Sequence, residues 1–374
     1  MKIAMIGHKR IPSREGGVEI VVEELATRMV ALGHEVTVYN RKGSHVSGKE
    51  YELGNGSKLR EYKGIRIVTI PTFQISQLNA IVYAFLATIH AICGRYDVIH
   101  IHGEGSALMC KLTRLFWKHT IVTIHGLDWQ RAKWGGLATK MLLLGEKSAA
   151  KYADEVIVLS RNVQQYFQDT YHRTTEYLPN GITRPAIREA DEIKQQYGLQ
   201  KDSYILFLAR IVPEKGLHYL MEAYQNLKTD KRLVIAGGSS HTDVYYEQMK
   251  EMASVDERII MTGFVAGAIL EELYSNAYLY VLPSDIEGMP LSLLEAMSYG
   301  NCVLASDIAE CVEVIGEDGF YFSKSDVASL QEQLEMLLNE KEKVSVVKKV
   351  VAEQVIERYN WDCIVKDTIQ LYEA

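Results

Sequence analysis

Cysteine is scarce and scattered: Cys93, Cys110, Cys302, Cys311 and Cys363 are five residues with no C-x-x-C among them. An odd, unclustered set argues against a disulfide scaffold or a thiolate zinc site and for a reducing compartment. No apolar run reaches the roughly 20 residues that a membrane-spanning helix needs. The longest, residues 78–93 (LNAIVYAFLATIHAIC), carries Asn79 and His90 and reads as a buried helix. The opening MKIAMIGHKR has one early lysine and too short an apolar stretch for a signal peptide. The first strand is followed by no G-x-G-x-x-G, so a dinucleotide-binding reading lacks its fingerprint. Basic residues do not cluster with interleaved aromatics, which speaks against nucleic acid as a partner.

What is present is enough chain for two domains, at 374 residues, and an uneven charge. Residues 1–185 hold 24 Lys+Arg against 16 Asp+Glu, a net +8, and the remainder holds 17 against 32, a net −15. The basic half is expected to face something anionic, a phospholipid surface or a lipid diphosphate.

Short apolar runs alternate with helical periodicity throughout. In the first half strands are expected at 2–7, 34–39, 65–70, 97–102, 120–125, 155–159 and 177–182, with a long excursion or hairpin between 41 and 63. Helices are expected at 18–32, 78–93, 106–118 and 140–152, the first with Val18, Val21, Val22, Leu25, Met29 and Leu32 on one side and Gly33 as its stop. After a polar linker and leading helix at 184–199, strands recur at 204–210, 232–236, 258–264, 277–283, 301–306 and 319–322, with helices at 217–227 and 268–276. The tail, 344–372, is helical with a break and restart at Asn360-Trp361-Asp362. Such alternation predicts an α/β protein with two doubly wound parallel-sheet domains. They are placed at 1–184, with a terminal helix from about 361 to 374 crossing back, and at 190–358.

Strand ends carry the candidate chemistry. Residues 284–300, SDIEGMPLSLLEAMSYG, follow a buried strand and open a helix, with Pro290 suited to the first helical position. Asp285, Glu287 and the Gly288-Met289 amides then sit where open α/β sheets bind ligands, against a helix N-terminus that favours anions. Glu295 lies two turns further on. Arg210 and Lys215 flank the loop after the 204–210 strand, where a fork and a point charge can grip a diphosphate. Gly16-Gly17 allow backbone N–H groups to approach an anion. His100 and His102 point the same way on one strand. A metal-ligand pair lacks a third ligand there, and polar residues on a cleft floor are the preferred reading, with His102 the better acceptor-site candidate. His125, Asp128 and Trp129 gather after another strand. Lys111, Arg114, Phe116, Trp117, Lys118, Arg131, Lys133 and Trp134 make a basic, aromatic surface suited either to solvent or to a membrane interface.

These strings together resemble the retaining, family-4-type glycosyltransferases of the GT-B fold. The resemblance rests on Gly16-Gly17, H-G-x-D-W from His125, S-x-N at Ser160 and Asn162, P-N-G-I from Pro179, R-x-x-x-E-K-G from Arg210, G-F-V from Gly263 to Val265, and the Glu287–Glu295 segment. The stretch IPSREGGVExxVEELA is similar to a bacterial subgroup that includes rhamnosyltransferases of cell-surface polysaccharide synthesis. The resemblance implies that Arg210 and Lys215 hold the donor diphosphate and that Glu287 touches the transferred sugar. It implies that the amides of Gly288, Met289 and Leu291, beside Pro290, cradle hydroxyls and phosphate, and that Glu295 accepts from the ribose diol. Val265 is counted with the donor site, Gly16-Gly17 close over the diphosphate, and His125 lies by the donor sugar as a catalytic candidate with Glu287. Arg14, His102, Glu104, Asp128 and Trp129 are the acceptor candidates. Departures are Cys302, where the family often has proline, and Ile308-Ala309-Glu310-Cys311 in place of a P-G-N/H-type segment.

The expected reaction is transfer of a sugar from dTDP-rhamnose or a UDP-hexose to a polyprenyl-diphosphate-linked saccharide. It would run with retention and without metal or cofactor, on the cytoplasmic face of the membrane and peripheral to it. The alternatives are a GT-B-fold nucleotide-sugar epimerase and a catalytically silent partner of a glycosyltransferase complex.

Overall fold

The structure, a computed structural model, describes residues 1–14, 16–42, 59–72, 76–131, 135–239 and 242–374. It divides into two units, Met1–Asn180 with Trp361–Ala374, and Gly181–Asn360.

The first unit is built on strands β1 (Lys2–Ile6), β2 (Glu35–Arg41), β3 (Glu61–Tyr62), β4 (Ile65–Ile70), β5 (Val98–His102), β6 (His119–Ile124), β7 (Glu155–Val158) and β8 (Glu176–Tyr177). They form one sheet in the order β3-β4-β2-β1-β5-β6-β7-β8. All neighbours are parallel except β3 on β4, a hairpin turned by Lys63 (φ 50°) and Gly64 (φ 78°). The central strands are apolar on both faces because helices cover both. Ile3, Ala4, Met5 and Ile6 are fully buried, as are Ile101, Val122 and Val158. The chain leaves β1 toward β2 and β4 and returns to β5 on the other side. The order therefore reverses between β1 and β5, and loops from both strand ends meet there. Gly7, at φ 119°, is fixed by that crowding: a Cβ would lie 2.0 Å from the His102 carbonyl oxygen. The last helix, Trp361–Glu373, belongs to this unit, where Tyr372 hydrogen-bonds His100 Nδ1 at 2.6 Å.

The second unit has six parallel strands, β9 (Tyr204–Leu208), β10 (Arg232–Ala236), β11 (Ile259–Gly263), β12 (Leu279–Leu282), β13 (Cys302–Ser306) and β14 (Phe320–Phe322). Their order is β11-β10-β9-β12-β13-β14, which reverses between β9 and β12. Its core joins Ile205, Phe207, Val281 and Leu304 to Leu217, Leu220 and Leu334 from flanking helices.

Several expectations need correction. The helix expected at 106–118 is two short ones, Glu104–Ala107 and Cys110–Leu115, so the helical period there spans a break at Leu108-Met109. Leu32 is 55% exposed and stands past the buried stripe of its helix as the C-cap. Pro290 is an extended N-cap and not the first helical residue; the helix runs Leu291–Ser298. Helices Asp243–Ser254 and Val327–Asn339 were not anticipated: the first sets its buried Met249 and Ala253 among four charges, while the second carries a regular Leu330, Leu334, Leu337 period that the expectation passed over. Lys133, Trp134 and most of the 41–63 excursion lie outside the described residues.

Candidate active site

In the second unit the loop after β9 and the loop after β12 leave adjacent strands at the point of reversal, the place where such sheets bind ligands. They are held backbone to backbone. Gly216, at φ 65°, has room for no Cβ, since one would lie 1.8 Å from the Pro283 carbonyl oxygen. The Asp285 N–H donates to Glu214 O at 2.9 Å. The first loop carries Arg210 and Lys215, the second Asp285, Glu287, Gly288 and Met289.

Lys215 Nζ pairs with Glu287 Oε1, with only 14% of the lysine side chain and 6% of the glutamate exposed. Ser284 Oγ also donates to Glu287 Oε1, at 2.7 Å. An ammonium has three donors, so one pairing with Glu287 does not prevent it from meeting an oxyanion. Asp285 is fixed from two sides, by Tyr219 OH at 3.2 Å and Ser325 Oγ at 2.6 Å. Pro290 supplies no side-chain cap to the helix it opens, which suits that N-terminus to an anion. Arg210 stands two residues past β9, partly buried. Val265 follows β11 directly after the Gly263-Phe264 turn.

Glu295 lies in the second turn of the helix Leu291–Ser298 and accepts from Tyr274 OH at 3.1 Å. Tyr274 is stacked on Tyr299 with centroids 5.1 Å apart. Burial, and then the Glu295 carboxylate, push the Tyr274 hydroxyl well above its ordinary range, so it stays a donor. Tyr280 OH, bonded to Ser292 Oγ at 2.9 Å and to Leu208 O at 3.0 Å, ties the same helix to β9. Ser284, Tyr219, Ser325, Tyr274 and Tyr280 are supporting residues that sequence reasoning missed. Their partners stand 3 to 72 positions away in the chain, and only Ser284, three before Glu287, left a local sign.

In the first unit the ends of β5 and β6 bring histidines together. His102 Nδ1 and His125 Nε2 are 3.1 Å apart, one donating to the other, and the His100 and His102 rings lie 4.1 Å apart. His100 is occupied by Tyr372 OH and by Thr123 Oγ1 at 2.7 Å. Burial depresses His125 to about 4 and His100 to about 3, and holds His102 well below its ordinary value. At neutral pH these are uncharged imidazoles that act as hydrogen-bonding groups. Among the described residues no group of three or more His, Cys, Asp or Glu is placed to hold a metal ion.

The loop after His125 rests on two buried carboxyls. Asp128 N–H donates to Glu104 Oε1 at 3.2 Å, and Trp129 Nε1 donates to Glu146 Oε2 at 3.2 Å. Glu146 also accepts from Tyr166 OH at 2.7 Å and Tyr171 OH at 2.6 Å. Burial, with the Asp128 and Glu146 carboxylates nearby, raises Glu104 to about 10, so it is a neutral acid. Of the acceptor candidates, His102 and Glu104 are thus enclosed beneath the surface, Asp128 is paired with Arg131 at 3.1 Å, Trp129 is partly buried, and Arg14 is exposed. Gly16 is the N-cap of the helix Gly17–Ala31, which has no side-chain cap. A Cβ on Gly16 would meet Glu19 Oε2 at 2.1 Å, and Glu19 is buried and bonded to the Lys9 N–H at 2.8 Å.

Two parallel sheets, each with an order reversal and polar groups at it, define a two-domain α/β protein of the GT-B kind. Residues 189–353 match the family described as Glycosyl transferases group 1, and residues 15–184 match Glycosyltransferase Family 4. The chain belongs to these glycosyltransferases. It is 26% identical over 405 residues to an uncharacterized glycosyltransferase of Methanocaldococcus jannaschii, covering 100% of this chain and 98% of that one. It is 26% identical over 286 residues to the Escherichia coli UDP-Gal:alpha-D-GlcNAc-diphosphoundecaprenol alpha-1,3-galactosyltransferase, with 71% of this chain and 72% of that one covered. The Anabaena protein HepE, solved in complex with UDP-glucose, superposes with a TM-score of 0.80 at 17% identity over 99% of each chain.

Proposed function

We propose that the chain transfers a hexosyl group, with retention of configuration, from a nucleoside-diphosphate sugar to a polyprenyl-diphosphate-linked saccharide. The observation that carries this reading is the buried Lys215–Glu287 pair at the reversal point of the second sheet, with Arg210 on the loop after β9 and Glu295 on the helix that follows Glu287. Breaking the anomeric C–O bond leaves negative charge on the nucleoside diphosphate. Arg210, Lys215 and the uncapped helix N-terminus at Leu291 meet that charge in a mostly desolvated place, where fixed donors act most strongly. Glu287, gripped by Lys215 and Ser284, is held to accept from sugar hydroxyls. Glu295, steadied by Tyr274, suits a ribose diol. A UDP sugar offers both the 2′- and 3′-hydroxyl, whereas a dTDP sugar offers only the 3′. The first unit contributes His125, a neutral imidazole able to hydrogen-bond a hydroxyl. Support for the acceptor class comes from the basic first half and from the galactosyltransferase relative, whose name specifies a diphosphoundecaprenol-linked sugar.

The test is thermal melting with UDP, dTDP, GDP and ADP in turn, with and without EDTA. A nucleotide at about 100 times its dissociation constant stabilises by roughly 2.7 kcal/mol. In a unit of this size that raises melting by about 5–10 °C. UDP or dTDP is expected to give that shift, undiminished by EDTA. A dTDP-only shift selects the rhamnosyl donor. No shift with any nucleotide overturns the reading and favours the silent-partner alternative.

A further inference from the structure

Three helices on the first unit neighbour one another: Ser76–Cys93, Cys110–Leu115 and Leu137–Tyr152, the second packing against both others. Lys118 Nζ ties the end of the second to the first by donating to Gly94 O at 3.3 Å. Each turns apolar side chains to solvent. Phe85 is 48% exposed, Leu115 70%, Phe116 51%, Trp117 91% and Leu144 53%. Cations share the surface: Lys111 is exposed, and Lys140, Lys147 and Lys151 follow Leu144's side of the long helix at helical spacing, all exposed. Residues 76–152 contain nine Lys+Arg and four Asp+Glu. Of those four acids Glu104 and Glu146 are buried, Asp128 is paired with Arg131, and Asp97 accepts the Lys2 N–H at 2.6 Å. Asp97 remains on this side, and Asp154, just past the third helix, pairs with Arg114 of the second at 2.9 Å, so cations outnumber acids here without excluding them.

Trp117 is the informative residue. It follows the Phe116 C-cap at φ 54°, the left-handed position where helices favour glycine and a bulky aromatic is disfavoured. At 91% exposure its indole gains almost no burial in return. Folding is therefore not served by a tryptophan here, and an amphipathic ring beside lysines has its natural setting at the headgroup level of a bilayer.

We propose that this face docks the protein on an anionic phospholipid bilayer, with Trp117, Phe116 and Leu115 entering the interface and Lys111, Lys140, Lys147 and Lys151 meeting the headgroups. A second copy of the chain is a poor occupant, because a two-fold contact would set the same cations against one another. This inference concerns the first unit alone and stands whether or not the transfer reading holds.

The test is co-sedimentation of the whole chain with vesicles of phosphatidylcholine and phosphatidylglycerol at 7:3, and of phosphatidylcholine alone. Binding is expected to the anionic vesicles only, and to fall steeply with salt. Lys111→Glu and Lys147→Glu should each weaken it roughly fivefold or more. Trp117→Gly should weaken it as much while leaving the melting temperature unchanged or higher and the nucleotide shift intact, which separates docking from folding. Four results overturn the inference: no binding, equal binding to neutral vesicles, binding unaffected by Trp117→Gly, or a dimer in solution that Trp117→Gly dissolves. Vesicle binding without any nucleotide shift defeats the transfer reading and leaves this one in place.

Discussion

Lys215→Met separates the lysine's part in holding the site from its part in binding a diphosphate. The substitution leaves Glu287, whose side chain is 6% exposed, as a carboxylate that keeps the Ser284 hydroxyl as a donor but has lost its ammonium. Removing one member of a buried ion pair costs about 3–5 kcal/mol because the other charge is stranded out of water. Ser284 and the 14% exposure of Lys215 put this case near the lower end, about 3 kcal/mol. For a unit of about 180 residues that lowers melting by roughly 6–12 °C. Lys215→Met combined with Glu287→Gln removes both charges and keeps an acceptor for Ser284. It should recover to within about 1 kcal/mol of the unmodified chain. The assay is calorimetric melting, following the transition that nucleotide shifts, since two units need not melt together. Both variants should lose the nucleotide shift. The reasoning is refuted if Lys215→Met melts within about 2 °C of the parent, or if the double variant is no more stable than the single one.

Other consequences are equally direct. Gly216→Ala places a methyl 1.8 Å from Pro283 O at a φ of 65°, and should cost at least about 2–3 kcal/mol; Gly33→Ala, at φ 90° with nothing within 4 Å, should cost about 1 kcal/mol, and equal losses by denaturant titration would contradict this. His8, His100 and His125 are held neutral at about 4, 3 and 4, so below the ordinary 6.5 the unfolded chain takes up protons that the fold does not. Stability should fall from pH 6.5 downward, and His100→Gln should flatten that limb in melting curves. Glu104 is the opposite case: raised from 4.5 to about 10, it stays protonated in the fold while the unfolded chain ionises, so its contribution is lost as pH rises through that window. Glu104→Gln should level the melting temperature between pH 7 and 9, above the histidine limb, and an unchanged slope there would show that Glu104 is ionised.

Most of the architecture was legible because a doubly wound fold writes itself locally. Each central strand is a short apolar run, and the glycines at positions 7, 33, 216 and 263 mark positive-φ turns at strand or helix ends. Ser160 caps its helix through the Val163 N–H, as its place before the apolar period implied. Reading failed where local pattern and tertiary demand diverge. Residues 106–118 carry a helical period that the fold interrupts. Asp243–Ser254 is a helix whose narrow apolar stripe is diluted by charge, whereas Val327–Asn339 carries a regular Leu330, Leu334, Leu337 stripe that was passed over. In the second unit, Lys215 and Glu287 were singled out from their places after strands, and the structure pairs them. The Tyr274–Glu295 bond and the Glu104–Glu146 support of the His125 loop were not, because those partners meet only through tertiary folding. Burial was the other hidden variable: nothing in the string DVIHIHGEG says that His102 and Glu104 are enclosed.

The helix Trp361–Glu373 buries Trp361, Ile364, Val365, Thr368 and Tyr372 in the unit whose other residues come first in the chain. On a ribosome this inverts the order of completion. At about 5–20 residues per second, residues 181–360 occupy on the order of 10–40 s of synthesis after the first sheet has emerged. Throughout that interval His100 lacks the Tyr372 hydroxyl and the first unit lacks its final cover. The unit that is translated second has all its residues before the first one does. The nascent first sheet must wait, with apolar surface uncovered, in the period when a chaperone has the most to bind.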